Sequence, residues 1–196
     1  MSSTIPGLFY FPDAVTGDIL ASILDFLASC EMRQVRPGVA ASREVAQFGS
    51  EYDYRTGAPR AGGGSDASLP EALQSLIQIA SSRLREVDID TSAHPFTQCI
   101  VNRYLSGQGI GRHIDHPAYG PYIACFTFGS AATMLFTHPD GRRVDVPVAP
   151  GSLYVMTGDA RSVWSHEMPS RLTDPSQTGR VRRDTRTSVT FRHYSA

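Results

Sequence analysis

The sequence predicts an α+β fold, a double-stranded β-helix (jelly roll) core with N-terminal helices packed on one of its sheets. Three observations carry that expectation. Two stretches before residue 97 repeat apolar residues at helical spacing. After Thr97 the chain changes to short runs rich in β-branched and aromatic residues, divided by turn signals. With 196 residues, 41% of them hydrophobic, there is ample material for one core. The expected organisation is one domain over 1–196, with helices in about 1–96 and the jelly roll in 97–196.

Gly7 to Val15 reads as a short strand leading into a turn. Asp18 to Ala28 places Ile19, Leu20, Ile23, Leu24 and Leu27 on one helical stripe, with Thr16 as N-cap. Glu44 to Phe48 reads as a strand. Gly57 to Ser68 is the stretch of lowest complexity and reads as a mobile loop. Ser68-Leu69-Pro70-Glu71 has the form of a capping box. The helix it would start keeps Leu73, Leu76, Ile77, Ala80 and Leu84 on one face. Strands are then expected at about 97–104, 121–128, 132–137, 142–148, 152–157 and 187–193. Ser106-Gly107-Gln108-Gly109, Pro139-Asp140-Gly141 and Pro150-Gly151 supply turns between them.

Composition excludes several classes. No run approaches the roughly 20 apolar residues of a membrane helix. The first residues have neither a basic region nor a small-residue cleavage site, so no signal peptide is expected. Three cysteines without a CxxC pair rule out a disulfide scaffold and a thiolate zinc cluster, and the expected compartment is the cytoplasm. A net charge of −1 argues against a polyanion binder held by bulk charge. All 18 basic residues are arginine. Codon composition accounts for that, and so would a need for forks that bind carboxylate or phosphate bidentately; position decides.

His113-Ile114-Asp115 is the first chemical signal. On extended chain, residues two apart share a face, so imidazole and carboxylate project side by side. A metal needs a third ligand, and His166 in Trp164-Ser165-His166-Glu167-Met168 is the best candidate. Two histidines and a carboxylate on one face are the ligand set of non-haem Fe(II) oxygenases. HxD alone arises readily by accident in a chain with six histidines, and His116, His138, His94 and His193 are rival third ligands. The second signal is Arg186-Thr187-Ser188-Val189-Thr190-Phe191-Arg192. Read as a strand, it puts Arg186, Ser188, Thr190 and Arg192 on one face and Val189 and Phe191 on the other. Inward-facing arginines are costly unless an anion neutralises them, and a dicarboxylate would do so; on an exposed strand they would simply meet water. The third signal is Asn102-Arg103-Tyr104, whose outer members share a face and can hydrogen-bond a carboxylate.

In that order, NxY, HxD, a later histidine and RxxxxxR resemble the AlkB family of Fe(II)- and 2-oxoglutarate-dependent dioxygenases. Phe128-Gly129-Ser130, Ser152 to Arg161 and Thr187 to Arg192 extend the likeness, which covers about 97–194 well and the first 96 residues loosely. The resemblance implies that His113, Asp115 and His166 ligate Fe(II). It implies that Arg186, helped by Asn102, Tyr104 and Ser188, clamps 2-oxoglutarate, with Arg192 near the keto-acid end. The implied reaction consumes O₂, oxidises 2-oxoglutarate to succinate and CO₂, and hydroxylates a C–H bond; on an N-methyl group formaldehyde follows. The implied substrate is an alkylated single-stranded nucleic acid. No obligate protein partner is evident, and a protein side chain or small metabolite is the alternative target. Pro117 and Ser188 depart from the DNA-repair members and leave the substrate open.

The resemblance also implies a lid over the iron, here about Ala46–Ser68. Tyr52 and Tyr54 offer rings for stacking and Arg55 a guanidinium for phosphate. The two tyrosines could equally just pack the lid on the core. Arg161 either faces the pocket or is a buried structural arginine paired with an acid. Arg180, Arg182 and Arg183, with Asp184, read as a loop that could meet phosphate or simply be solvated.

Overall fold

A computed structural model describes residues 5–60, 69–176 and 179–195. In chain order the strands are β1 Leu8–Phe11, β2 Arg33–Gln34, β3 Glu44–Gly49, β4 Glu51–Asp53, β5 Ala58–Arg60, β6 Gln98–Tyr104, β7 Ile110–His113, β8 Tyr122–Gly129, β9 Ala132–Thr137, β10 Arg143–Val148, β11 Leu153–Thr157, β12 Ser165–Met168, β13 Thr173–Ser176, β14 Gly179–Arg182 and β15 Arg186–Arg192. The helices are α1 Gly17–Ser29, α2 Glu71–Arg85 and α3 Gly158–Ser162. No helix among the described residues is long and apolar enough to cross a membrane.

Seven strands form the larger sheet, in the order β1-β11-β8-β15-β6-β3-β2, and four form the smaller one, β10-β9-β12-β7. Their recorded pairings are antiparallel. This is the two-sheet jelly roll expected from the spacing of short runs. Alternation along β15 separates two chemistries. Val189 and Phe191 join a core with Leu73, Leu76, Ala80 and Leu84 of α2 and Ile23 and Leu27 of α1. Burying one such leucine contributes about 2 kcal/mol. The other face of the sheet meets the smaller sheet across Ile123, Met134, Phe136, Met156 and Trp164. The helices therefore cover one side of the larger sheet, and the site develops on the other.

The six expected strands after residue 97 are present with ends shifted by a residue or so, and the two helices and β3 fall where their apolar patterns place them. Some local expectations need correction. β5 occupies Ala58–Arg60 and pairs with β4, so the start of the expected loop is one arm of a hairpin; residues 61–68 lie outside the described residues. Ser68 of the capping box lies there too. Pro70 stands at the N-cap of α2, and its carbonyl takes the first helical bonds from the N–H groups of Leu73 and Gln74. Its missing N–H costs nothing at a helix start. Thr16 holds the N-cap of α1 in extended conformation but makes no side-chain cap bond. Arg180 and Arg182 lie on β14, not in a loop. The larger sheet also takes β1, β2 and β3 from before residue 97. Gly49, at φ +74, makes the bend from β3 to β4; a Cβ there would lie 2.1 Å from the Thr97 carbonyl oxygen.

Candidate metal and co-substrate site

β7 and β12 are neighbours, and their register sets His113 directly opposite His166. The two rings lie 4.3 Å apart by centroid. Asp115 follows the end of β7, and one ligand atom from each of the three residues lies within 4.8 Å of the others. Nδ1 of His113 is 2.8 Å from the Gly111 carbonyl oxygen. A carbonyl only accepts, so this nitrogen carries a proton, and Nε2 is the atom left for a metal. His166 is buried, and its Nδ1 has no partner. Burial holds its pKa down at about 4, against the upward pull of Asp115, so the ring is neutral near pH 7. Burial alone would raise the Asp115 carboxyl. Arg192, at 2.6 Å, outweighs it with help from His166 and His113 and keeps the group ionised far below its ordinary range. Two imidazoles and one carboxylate, converging from one side, fit divalent iron. His116, His138, His94 and His193 do not join this group.

The inward face of β15 continues the site. Arg186 stands opposite Tyr104, and Ser188 opposite Asn102, in the pairing with β6. All four line one cavity with Thr190, Arg192, Cys125, Tyr154 and the three metal-facing residues. Arg186 is buried. It donates to the Thr127 hydroxyl at 2.9 Å, its Nε has no partner, and among the described residues no carboxylate pairs with it. A buried cation without a counterion is strongly unfavourable, and an anionic ligand removes the cost. Arg192 differs, because its charge is taken by Asp115. It also donates to Gln98 Oε1 at 3.1 Å and lies 5.0 Å from the Tyr119 ring centre. Asn102 accepts from Arg43 Nε at 2.8 Å.

Outside the metal position lies a cavity of about 320 Å³ whose lining includes Arg43, Tyr52, Tyr54, His113, Asp115, Tyr119 and Arg192. Tyr52 and Tyr54 come from the β4–β5 hairpin and its turn, and meet edge to face at 5.1 Å. Arg55 is not part of this mouth. Its side chain is 84% exposed, sits 3.6 Å from Asp53 and borders a separate outer groove with Arg33 and Arg60. Arg161 is buried but, among the described residues, forms no ion pair with an acid. It donates to the carbonyls of Asp115, His116, Tyr119 and Gly120, so its donors clamp the 115–120 loop and do not point into the mouth. Arg183 is likewise structural, buried against Asp174 and the Pro169 carbonyl. The spacing of sequence motifs misses Gln98, Thr127 and Arg43. The first two pair with Arg192 and Ser188 across the sheet, so the strand register would have found them. Arg43 carries no comparable signal.

A model of the 2OG-Fe(II) oxygenase superfamily matches residues 28–192. The mouse protein named tRNA (carboxymethyluridine(34)-5-O)-methyltransferase ALKBH8 is 35% identical over 136 residues, 69% of this chain and 20% of that protein. Human DNA oxidative demethylase ALKBH2 is 31% identical over 102 residues, 45% of this chain and 39% of its own. The chain thus spans well under half the length of either relative. The solved structure of OsALKBH1 superposes with a TM-score of 0.68 at 20% identity, covering 98% of this chain and 99% of the other. A Pseudomonas putida prolyl-4-hydroxylase shares the fold at TM-score 0.62 and 15% identity, over 98% and 95% of the two chains. The chain belongs to the 2OG-Fe(II) oxygenase superfamily and, within it, to the AlkB family of dioxygenases that use Fe(II), 2-oxoglutarate and O₂.

Proposed function

We propose that the protein oxidatively demethylates N-alkylated bases in single-stranded DNA or RNA, with release of succinate, CO₂ and formaldehyde. The observation that carries this reading is the mouth: two tyrosines of the hairpin face the same cavity as His113 and Asp115. A base extruded from its stack needs aromatic faces beside the reacting position. Two relatives bear names that refer to tRNA and to DNA, which supports nucleic acid as the substrate class.

In this proposal His113, Asp115 and His166 hold the metal. Bound Fe(II) supplies the O₂ activation that couples 2-oxoglutarate decarboxylation to C–H hydroxylation. Arg186 anchors the far carboxylate of the co-substrate, with Asn102, Tyr104 and Ser188 as hydrogen-bond partners. Arg192 keeps Asp115 ionised and fixes its oxygens. Arg161 holds the loop that carries Asp115, so the ligand geometry is set before anything binds. Tyr52 and Tyr54 stack the base. The hydroxylated methyl group then leaves as formaldehyde: the C–N bond breaks, its electron pair returns to the ring nitrogen, and the hydroxyl proton passes to water.

A second reading keeps the chemistry and changes the target to a protein side chain or small metabolite. One observation favours it. Arg60 and Arg55 on the hairpin already face Glu51 at 2.5 Å and Asp53 at 3.6 Å, so the outer groove is not plainly basic. The test is product analysis with Fe(II), ascorbate, O₂ and 2-oxoglutarate on single-stranded oligonucleotides bearing 1-methyladenine or 3-methylcytosine. Loss of one methylene mass per methyl, matched by succinate, is expected. Succinate without demethylation would overturn the nucleic-acid substrate and favour the second reading.

A further inference from the structure

Arg43 lies just before β3, which puts it between two parts of the site. Its Nε donates to Asn102 Oδ1 at 2.8 Å. Its guanidinium carbon lies 5.7 Å from the centre of the Tyr54 ring. It lines the mouth beside Tyr52, Tyr54 and Arg192, while Asn102 lines the inner cavity with Arg186. Among the described residues no carboxylate pairs with Arg43, so neither contact competes with an ion pair. Hydrogen-bond chemistry gives the first contact a direction. An amide presents one accepting and one donating end. With its oxygen occupied by Arg43, Asn102 is held with the –NH₂ end free, the end an anionic carboxylate needs.

We propose that Arg43 is a positioning residue that links co-substrate binding to the hairpin over the mouth. It fixes the amide of Asn102 for 2-oxoglutarate, and through the same guanidinium it braces Tyr54 of the substrate-side hairpin. The proposal rests on the reading of Asn102 and Arg186 as co-substrate contacts, and it does not depend on what the substrate is.

The hairpin carries its own reporters, because Arg55 and Arg60 are exposed trypsin sites on it. The experiment measures 2-oxoglutarate affinity by calorimetry on Mn(II)-loaded protein, and tryptic cleavage after Arg55 and Arg60 with and without 2-oxoglutarate. In the wild type, 2-oxoglutarate slows both cleavages. Arg43→Met weakens 2-oxoglutarate about tenfold, the scale of one hydrogen bond to a charged ligand, and leaves Mn(II) affinity unchanged. It also abolishes the protection at saturating 2-oxoglutarate. Tyr54→Leu keeps the affinity and loses the protection. Arg43→Lys, which can still donate to Asn102 but cannot stack, restores affinity to within about twofold without restoring protection, and serves if the methionine variant unfolds. Wild-type affinity and protection in Arg43→Met would overturn the proposal, as would a wild-type hairpin indifferent to 2-oxoglutarate. Wild-type protein that binds no 2-oxoglutarate at all would overturn the co-substrate reading beneath it. Demethylation is not a readout of any arm, so the substrate assignment can fail while this proposal stands.

Discussion

Arg186 shows what a single side chain can decide. A buried guanidinium with an unpartnered Nε and, among the described residues, no carboxylate beside it suits an anion from outside the chain. Arg186→Ala should raise the apparent KM for 2-oxoglutarate about a hundredfold, the scale of a lost charge-assisted contact, with a smaller change in kcat at saturation. Steady-state succinate formation against 2-oxoglutarate concentration checks it, and an unchanged KM would remove the clamp. His166 predicts a pH dependence of the metal-free protein. Its ring takes up a proton near pH 6.5 when unfolded and only near 4 when folded. Between those values the unfolded state binds more protons, so stability falls as pH falls, by on the order of 3 kcal/mol in total. Urea midpoints from pH 7 to 4 measure this, and His166→Gln should flatten the curve. The sequence makes His113, Asp115, His166 and the face of β15 legible because they obey the two-residue period of a strand. Arg161 is legible as a buried structural arginine but not in its partners, which are backbone carbonyls 41 or more residues away and not an acid. Arg43 is not legible, because its acceptor Asn102 lies 59 residues away and nothing local distinguishes it from a surface arginine.

The long apolar elements are readable from spacing, and the short ones that matter most to the site are not. β8 and β15 are rich in β-branched and aromatic residues and bury nearly every position. β7 (Ile110–His113) and β12 (Ser165–Met168) have polar, partly exposed patterns, and each holds a histidine of the candidate metal site where a strand would ordinarily place an apolar residue. Cross-strand pairing, not propensity, makes them strands. α2 offers the complementary test. Leu76 is wholly buried between that helix and the larger sheet, away from the site. Leu76→Ala should cost about 2–5 kcal/mol in denaturant unfolding while leaving the KM for 2-oxoglutarate unchanged in the folded fraction. A shifted KM would show that the helix layer and the cavity are not independent.

At the scale of the molecule, charge and ligand linkage make the predictions. The chain carries a net charge of −1, so on the proposed function an oligonucleotide would be held by a few local contacts and not by bulk charge. Binding measured by fluorescence anisotropy should be weak and should fall with added salt by a slope corresponding to about two to four phosphates. A steeper slope would mean that the outer groove engages far more backbone than its paired arginines suggest. If Mn(II) and 2-oxoglutarate bind only the native state, together they should raise the melting temperature, and His113→Ala should abolish the metal's share. The position of β15 has a different consequence. It lies between β8 and β6 in the larger sheet yet follows both in sequence. During synthesis those two strands emerge with a gap between them, each with an open edge toward the other. Until the segment carrying Arg186 and Arg192 leaves the ribosome, that slot is a template for any extended chain nearby. The same late strand that closes the slot delivers the two arginines, so a nascent chain cannot acquire the cavity before these two edges are paired.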